Sequence, residues 1–381
     1  MMTPDVTGEA ATADATTPAS FSADDVRHMT RALELARRGL YTTDPNPRVG
    51  CVLVKDGAVV GEGWHERAGG PHAEAAALTA AGATAKGSTA YVTLEPCDHH
   101  GRTPPCSLAL IAAGIARVVY TLDDPNPEVA GRGAARLRAQ GIRVESGLMA
   151  AEAEALNPGY LKRRRTGRPF VRVKVAASLD GRTALASGAS RWITSKVARH
   201  DAQHFRARSS VVLTGIGTVL ADDPAMNVRI DESRRQPLRA VLDSTLPTPP
   251  EARIVNRQGS VLVAGTTDHA QRRDALQRKG VEVVQVPQRD GRPELAAVLD
   301  LLGQRGMNEV WVEAGATLAG AFVRERLFDE LVVYLAPTLL GPDARPLLEL
   351  PALTQLDARP QLRFTECVAV GDDLRIIAVP A

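Results

Sequence analysis

Pro71-His72-Ala73-Glu74, Glu95-Pro96-Cys97 and Pro105-Cys106 govern the reading of the first half of the chain. One His and two Cys form the three-ligand set of a catalytic zinc, which leaves its fourth position to water. Positions 72 and 74 lie about 200° apart around a helix, so they cannot share one mid-helix face. They converge only on a metal lying off a helix N-terminus, and Pro71 suits a helix start. Pro104-Pro105 stands in the same relation to a helix opening at Cys106. Two helix N-termini would then direct partial positive charge at two thiolates and a hydroxide.

Outward from this stretch the pattern alternates. Met29, Leu33, Ala36 and Leu40 recur at helical spacing after Asp24, a candidate cap. Lys55-Asp56-Gly57 between two β-branched runs predicts a hairpin. Helices follow over 72–81, 106–113 and 132–140, with strands over 89–94, 116–121 and from Ile142. This is an α/β unit built on one sheet. Residues 1–21, rich in Ala, Thr, Asp and Pro, are expected to form a disordered tail. The polar run Leu161–Pro169, punctuated by Gly167 and Pro169, predicts a boundary, giving domains at 22–167 and 168–381. The second half repeats the α/β style, with strands near 209–214, 238–243, 260–264, 281–286, 308–313 and 330–336.

Composition excludes several classes. A chain of 381 residues with 44% hydrophobic and 24% charged residues has enough apolar surface for two cores. Lys plus Arg number 46 against 44 Asp plus Glu, a net charge of +2, so no basic excess calls for nucleic acid or a membrane surface. No run approaches the roughly 20 apolar residues of a membrane span, and no secretory signal is seen. Four cysteines, Cys51, Cys97, Cys106 and Cys367, make no disulfide scaffold. A cytoplasmic, reduced protein is expected.

A metal at His72, Cys97 and Cys106 would lower the pKa of a water towards neutrality. His-x-Glu with Pro-Cys is the pattern of zinc deaminases, in which the Glu, here Glu74, moves protons and is no ligand. Eight residues separate these cysteines where that pattern has two. The alternative is a closed structural zinc site, for which His65, His99 or His100 would supply a fourth ligand. A nucleic-acid base deaminase would be expected to carry a basic stripe with exposed aromatics, and only 4% of residues are aromatic.

In the second half, Thr214-Gly-Ile-Gly-Thr218 and Glu313-Ala-Gly-Ala-Thr-Leu-Ala-Gly320 each follow a strand and precede a helix. Such turns let backbone amides meet a phosphate, although neither completes Gly-x-Gly-x-x-Gly. Lys174, between Val173 and Val175, is either a solvent-face residue of a strand or a functional one.

Thr43-Asp-Pro-Asn-Pro-Arg-Val-Gly-Cys51, His72-Ala-Glu74 and Thr93 to Cys106 resemble the deaminase half of the bifunctional riboflavin biosynthesis family, whose eight-residue cysteine gap matches. Lys174 to Arg182, Ser190 to Thr194, Thr214 to Pro224 and Leu335 to Gly341 resemble its reductase half. The resemblance runs from Asp24 nearly to the C-terminus. It implies a cytidine-deaminase-like α/β/α domain followed by a dihydrofolate-reductase-like α/β domain. It implies one zinc on His72, Cys97 and Cys106, with Glu74 as proton shuttle and Asn46 on the pyrimidine. NADPH would contact Ala176, Trp192, Thr218, Asp222, Ser244 and the turn Gly315, Ala316, Thr317, Leu318, Ala319 and Gly320. Lys174, Ser190, Arg206, Met226, Arg229 and Glu313 would contact substrate. Arg206 and Arg229 are expected to hold its phosphate, because a guanidinium fork matches phosphate oxygens. Lys174 and Asp222 are the candidates for proton delivery during hydride transfer to the ribose C1′. The implied partner is a small pyrimidine nucleotide, without nucleic acid or membrane, and a homo-oligomer is expected.

Overall fold

The computed structural model describes residues 21–381 except 100–103, 128 and 234. The expected tail therefore lies outside the described residues, apart from Phe21. Five strands form the first sheet: β1 (Gly50–Lys55), β2 (Ala58–Trp64), β3 (Thr89–Val92), β4 (Arg117–Tyr120) and β5 (Arg143–Ser146), in the order β2-β1-β3-β4-β5. The hairpin turns at Asp56 and Gly57, both with positive φ (50° and 79°), the geometry an Asp-Gly pair favours. β1 pairs antiparallel with β2 and β3, whereas β3, β4 and β5 run parallel.

Helix α1 (Ala23–Arg37), capped by Ser22 and not by Asp24, packs Met29 and Leu35 on one face of this sheet against Val52, Tyr91 and Val119. Helices α2 (Ala73–Ala81), α3 (Cys106–Ala112) and α4 (Arg132–Ala139) cover the other, where Ala77, Leu110 and Leu137 meet Leu53, Val92 and Val118. Burial on both faces is why the inner strands β1, β3 and β4 are mostly apolar.

Two short helices follow, α5 (Ala150–Leu156) and α6 (Pro158–Thr166). The basic run at 162–165 is not an open linker. Pro158 opens α6 and Gly167 closes it in the left-handed conformation (φ 78°). Lys162 then pairs with Asp329 at 2.6 Å and Arg163 donates to Asn308 at 2.7 Å. Lys162 and Arg163 of the polar run are thus tied to the second domain, while Arg165 pairs with Glu154 in the first.

That sheet has nine strands: β6 (Phe170–Ser178), β7 (Val211–Gly215), β8 (Leu238–Leu242), β9 (Val261–Gly265), β10 (Glu282–Gln285), β11 (Glu309–Glu313), β12 (Glu330–Ala336), β13 (Leu362–Val370) and β14 (Asp373–Pro380). Their order is β10-β9-β8-β7-β11-β6-β12-β14-β13. All neighbours are parallel except β14, which runs antiparallel to β12 and β13. Val171, Val173, Val310 and Val312 face one core, and Val212, Trp311 and Val332 the other. Helices α7 (Lys196–Arg208), α8 (Ile216–Asp222), α9 (Ala270–Gln277), α10 (Leu295–Gln304) and α11 (Ala316–Arg324) lie on the connections.

The two units meet over buried charge. Glu309 is 1% exposed and accepts from Arg48 (2.9 Å), Arg208 (3.0 Å) and Arg172. Its carboxylate is held well below the usual range: burial opposes ionisation, but the three guanidiniums outweigh it.

Candidate functional site

His72 is the N-cap of α2 in extended conformation, Cys106 is the first residue of α3, and Cys97 sits in the loop after β3. His72 Nδ1 lies 3.3 Å from Cys106 Sγ and 3.5 Å from Cys97 Sγ. A tetrahedral zinc spaces N and S ligands by roughly 3.5–3.8 Å, so both the donor set and its spacing fit that ion. Neither helix has a side-chain cap, and the first amide of α3 serves the centre: the Cys106 N–H points at Cys97 Sγ, 3.4 Å away. A hydrogen bond from Cys106 holds the Cys97 thiol down to about 4, while sharing that proton pushes Cys106 up.

Glu74 stands in the first turn of α2, 4% exposed. Burial, then the Cys97 charge, pushes its carboxyl up to about 7, where an acid–base group works best near neutrality. Two glycines set this geometry. A Cβ on Gly63 of β2 would lie 2.4 Å from the Ala77 amide nitrogen, so its absence lets α2 press on the sheet. A Cβ on Gly133 would lie 1.8 Å from the Pro96 carbonyl, so α4 can bear on the Cys97 loop.

Roles not foreseen in sequence appear around these ligands. Glu95 accepts from the amides of Asp124, Gly131 and Ala134, tying the Glu95-Pro96-Cys97 loop to the start of α4. His65 is no fourth ligand. Its Nδ1–H donates to the Pro71 carbonyl at 2.8 Å, and its Nε2 accepts from Asn46 Nδ2 at 3.0 Å. His72, Cys97 and Cys106 are the metal-competent cluster among the described residues; His100 lies outside them. The signal available in sequence for Glu95 was its place before Pro96-Cys97, but its amide partners lie far along the chain.

The second site is a cleft of about 1420 Å³ at the C-terminal ends of the nine-stranded sheet. Typical small-molecule pockets measure about 300–1,000 Å³, so this one has room for a dinucleotide beside a substrate. β7 and β11 are parallel neighbours, so the glycine turns that follow them open on one cleft. A Cβ at Gly217 or Gly315 would meet nothing within 4 Å, and α11 opens at Gly315 without a side-chain cap. Space and free amides together suit phosphate groups.

Most of the expected contact residues line this cleft. Ala176, Thr218, Asp222 and Ser244 do so, as do Gly315, Ala316, Thr317 and Leu318. Trp192 stands at its rim, 68% exposed, with Arg199 stacked 4.2 Å over its ring. Ala319 and Gly320 lie on the inner side of α11, buried; a Cβ on Gly320 would strike the Glu349 carbonyl at 2.3 Å, which gives this glycine a packing reason. Ser190, Met226 and Arg229 also line the cleft.

Lys174 does not face solvent. It sits opposite Glu313 in the β6–β11 register, and both line the cleft. Burial lowers the Lys174 ammonium, with Glu313 opposing that shift. Glu313 is held down at about 2, because Arg206 outweighs its burial.

The comparisons with known proteins bear on both sites. Residues 22–122 match the cytidine and deoxycytidylate deaminase zinc-binding region, and residues 169–376 match the RibD C-terminal domain. The riboflavin biosynthesis protein RibD of Escherichia coli K12 is 53% identical over 369 residues, 94% of this chain and 100% of that protein. The chain belongs to the RibD family. The Haemophilus influenzae RibD is 47% identical over 94% of this chain and 98% of its own length. The Acinetobacter baumannii RibD structure aligns with a TM-score of 0.88 at 45% identity, covering 94% of this chain and 99% of that one. The chain is thus a bifunctional riboflavin biosynthesis enzyme, with a zinc-binding deaminase domain and an NADPH-using RibD reductase domain. Among the described residues, no helix is long and apolar enough to cross a membrane.

Proposed function

We propose that the chain deaminates 2,5-diamino-6-ribosylamino-4(3H)-pyrimidinone 5′-phosphate in its first domain and reduces the ribosyl group to ribityl in its second, with the boundary at 167/168. The observation that carries this reading is the convergence of His72, Cys97 and Cys106 beside a buried Glu74, on the same chain as a dinucleotide-sized cleft. Zinc, when bound by His72, Cys97 and Cys106, makes hydroxide available near neutral pH. Glu74 takes up the proton of the attacking water and returns it to the departing amino nitrogen, so that ammonia leaves. Asn46, its amide oriented by His65, hydrogen-bonds the pyrimidine.

In the second site NADPH, when bound, would supply hydride to C1′ as the sugar ring opens. The glycine turns, with Ala176, Trp192, Thr218, Asp222 and Ser244, would hold the cofactor. Lys174 delivers the proton to the ring oxygen. Asp222 is the weaker candidate, since Arg191 pairs with it at 3.4 Å. Ser190, Met226 and Glu313 frame the substrate, and Arg229 holds its phosphate. The four cysteines are all free thiols, which suits the reduced cytoplasm. The edge strand β13, with Phe364 70% exposed, is the face proposed for homo-oligomer assembly.

The test is to incubate purified enzyme with the diamino pyrimidine nucleotide, with and without NADPH, and follow products by mass. Loss of ammonia without NADPH, and a further gain of two hydrogens only with it, are the expected results. Reduction preceding deamination, or neither step, would overturn the reading.

A further inference from the structure

The loop that carries Asn46 is held from the other domain. Asp44 Oδ1 accepts from Ser210 Oγ at 2.7 Å and from Asn308 Nδ2 at 3.1 Å, and Asp44 Oδ2 from Arg235 at 3.2 Å. Asn308 Nδ2 also donates to the Pro45 carbonyl at 2.9 Å. Ser210, Arg235 and Asn308 all belong to the second domain.

These contacts are directed. Ser210 Oγ accepts the amides of Asn308 (2.8 Å) and Glu309 (3.1 Å), which fills its acceptor positions and turns its one proton to Asp44. Arg163 donates to Asn308 Oδ1 at 2.7 Å, which fixes the amide so that its NH₂ faces the loop. Arg235 also binds the carbonyls of Ser209 (2.6 Å) and Tyr41 (3.3 Å), spanning the two domains. From Asp44 the path into the deaminase site is short. The Asn46 amide closes a tight turn onto Thr43 O at 2.8 Å, Asn46 donates to His65, and His65 donates to Pro71, next to the ligand His72.

We propose that Asp44 is a positioning residue through which the reductase domain sets the substrate-binding loop of the deaminase. The inference rests on the reading that Asn46 binds the pyrimidine. Asp44 then touches neither substrate nor metal and acts through Asn46, so its loss weakens substrate binding and spares the chemical step.

The experiment compares Asn46→Ala, Asp44→Ala, Asp44→Asn and Asn308→Ala in the full-length zinc enzyme, with the pyrimidine nucleotide as substrate. Asp44→Ala and Asn308→Ala should each raise the deaminase KM by about tenfold, equivalent to about 1.4 kcal/mol. Deaminase kcat, zinc per chain and the reductase KM should stay at wild-type values. Asp44→Asn keeps an acceptor for Ser210 and Asn308 and should recover part of the lost affinity. A reductase-domain change that weakens only the deaminase is the signature that general destabilisation does not produce. If Asn46→Ala raises KM while Asp44→Ala and Asn308→Ala do not, the positioning role is wrong. If the latter two lower kcat, zinc content and reduction together, Asp44 is structural glue only, and the inference is again wrong. A wild-type KM in Asn46→Ala would remove the site reading itself, and the inference with it.

Discussion

Glu313 grips the guanidinium of Arg206 through two hydrogen bonds of 2.6 Å each. Arg206, paired with Arg229 in the sequence reading as a phosphate holder, has its fork already engaged, and its remaining nitrogen donates to the Asn227 carbonyl at 3.1 Å. Arg229 is exposed on the cleft wall, with Nη1 on Asn227 Oδ1 at 3.0 Å. Both line the cleft, and this difference in pairing predicts different tasks for them.

Arg229→Ala should raise the reductase KM for the nucleotide by about ten- to a hundredfold, the range of a charged hydrogen bond worth about 1.5–3 kcal/mol. Its kcat should change less, because a phosphate contact binds ground and transition states alike. On dephosphorylated substrate the mutant and wild type should perform alike; equal impairment on both substrates would sink the assignment. Arg206→Ala should instead lower unfolding stability by about 3–5 kcal/mol, since it leaves the Glu313 carboxylate buried without its partner. Urea denaturation distinguishes the two mutants.

Glu74→Gln keeps shape and removes the proton acceptor. Deamination should fall by at least about 10²-fold, with zinc near one per chain by metal analysis. Zinc lost together with activity would show that Glu74 supports the metal and does not shuttle protons.

Much of this site was legible because its chemistry is local. His72, Glu74 and Cys106 lie on helix starts that Pro71 and Pro105 announce, and the resemblance supplied the longer cysteine gap. The Asp-Gly hairpin was legible for the same reason: its geometry is decided by two residues. What was not legible depends on partners distant in sequence. Lys162 and Arg163 read only as part of a polar boundary run, because Asp329 and Asn308, which neutralise and bond them, stand far along the chain. Lys174 was ambiguous until β6 was set beside β11, which puts Glu313 opposite it. The terminal hairpin β13–β14 was missed because β13 is exposed along most of its length, so no one-sided apolar pattern marks it.

Cys97→Ser or Cys106→Ser should strip zinc and abolish deamination while reduction of pre-deaminated substrate remains measurable. The reason is architectural: the ligands sit on two helices and a loop packed on the five-stranded sheet, and the cleft sits at the end of the nine-stranded one. Reduction lost at unchanged fold and concentration would show that the metal centre supports both domains.

The last expectation concerns Glu309, where Arg48 from the first domain meets Arg172 and Arg208 from the second. Its folded pKa lies below the unfolded value of about 4.3, so ionised Glu309 stabilises the fold fully above that pH. That contribution is lost progressively as pH falls towards the folded pKa, because the unfolded chain then binds the proton first. Glu309→Gln leaves three buried guanidiniums facing a neutral amide, and should destabilise the protein by about 3–5 kcal/mol at pH 7. Below about pH 4.3 the unfolded wild type takes up a proton while the folded carboxylate keeps its charge, so the gap between the two proteins should narrow with each further step down. Urea unfolding of both proteins from pH 7 to pH 3 measures that gap. A gap that stays constant through the acid range would mean that Glu309 is not the ionised centre of this interface.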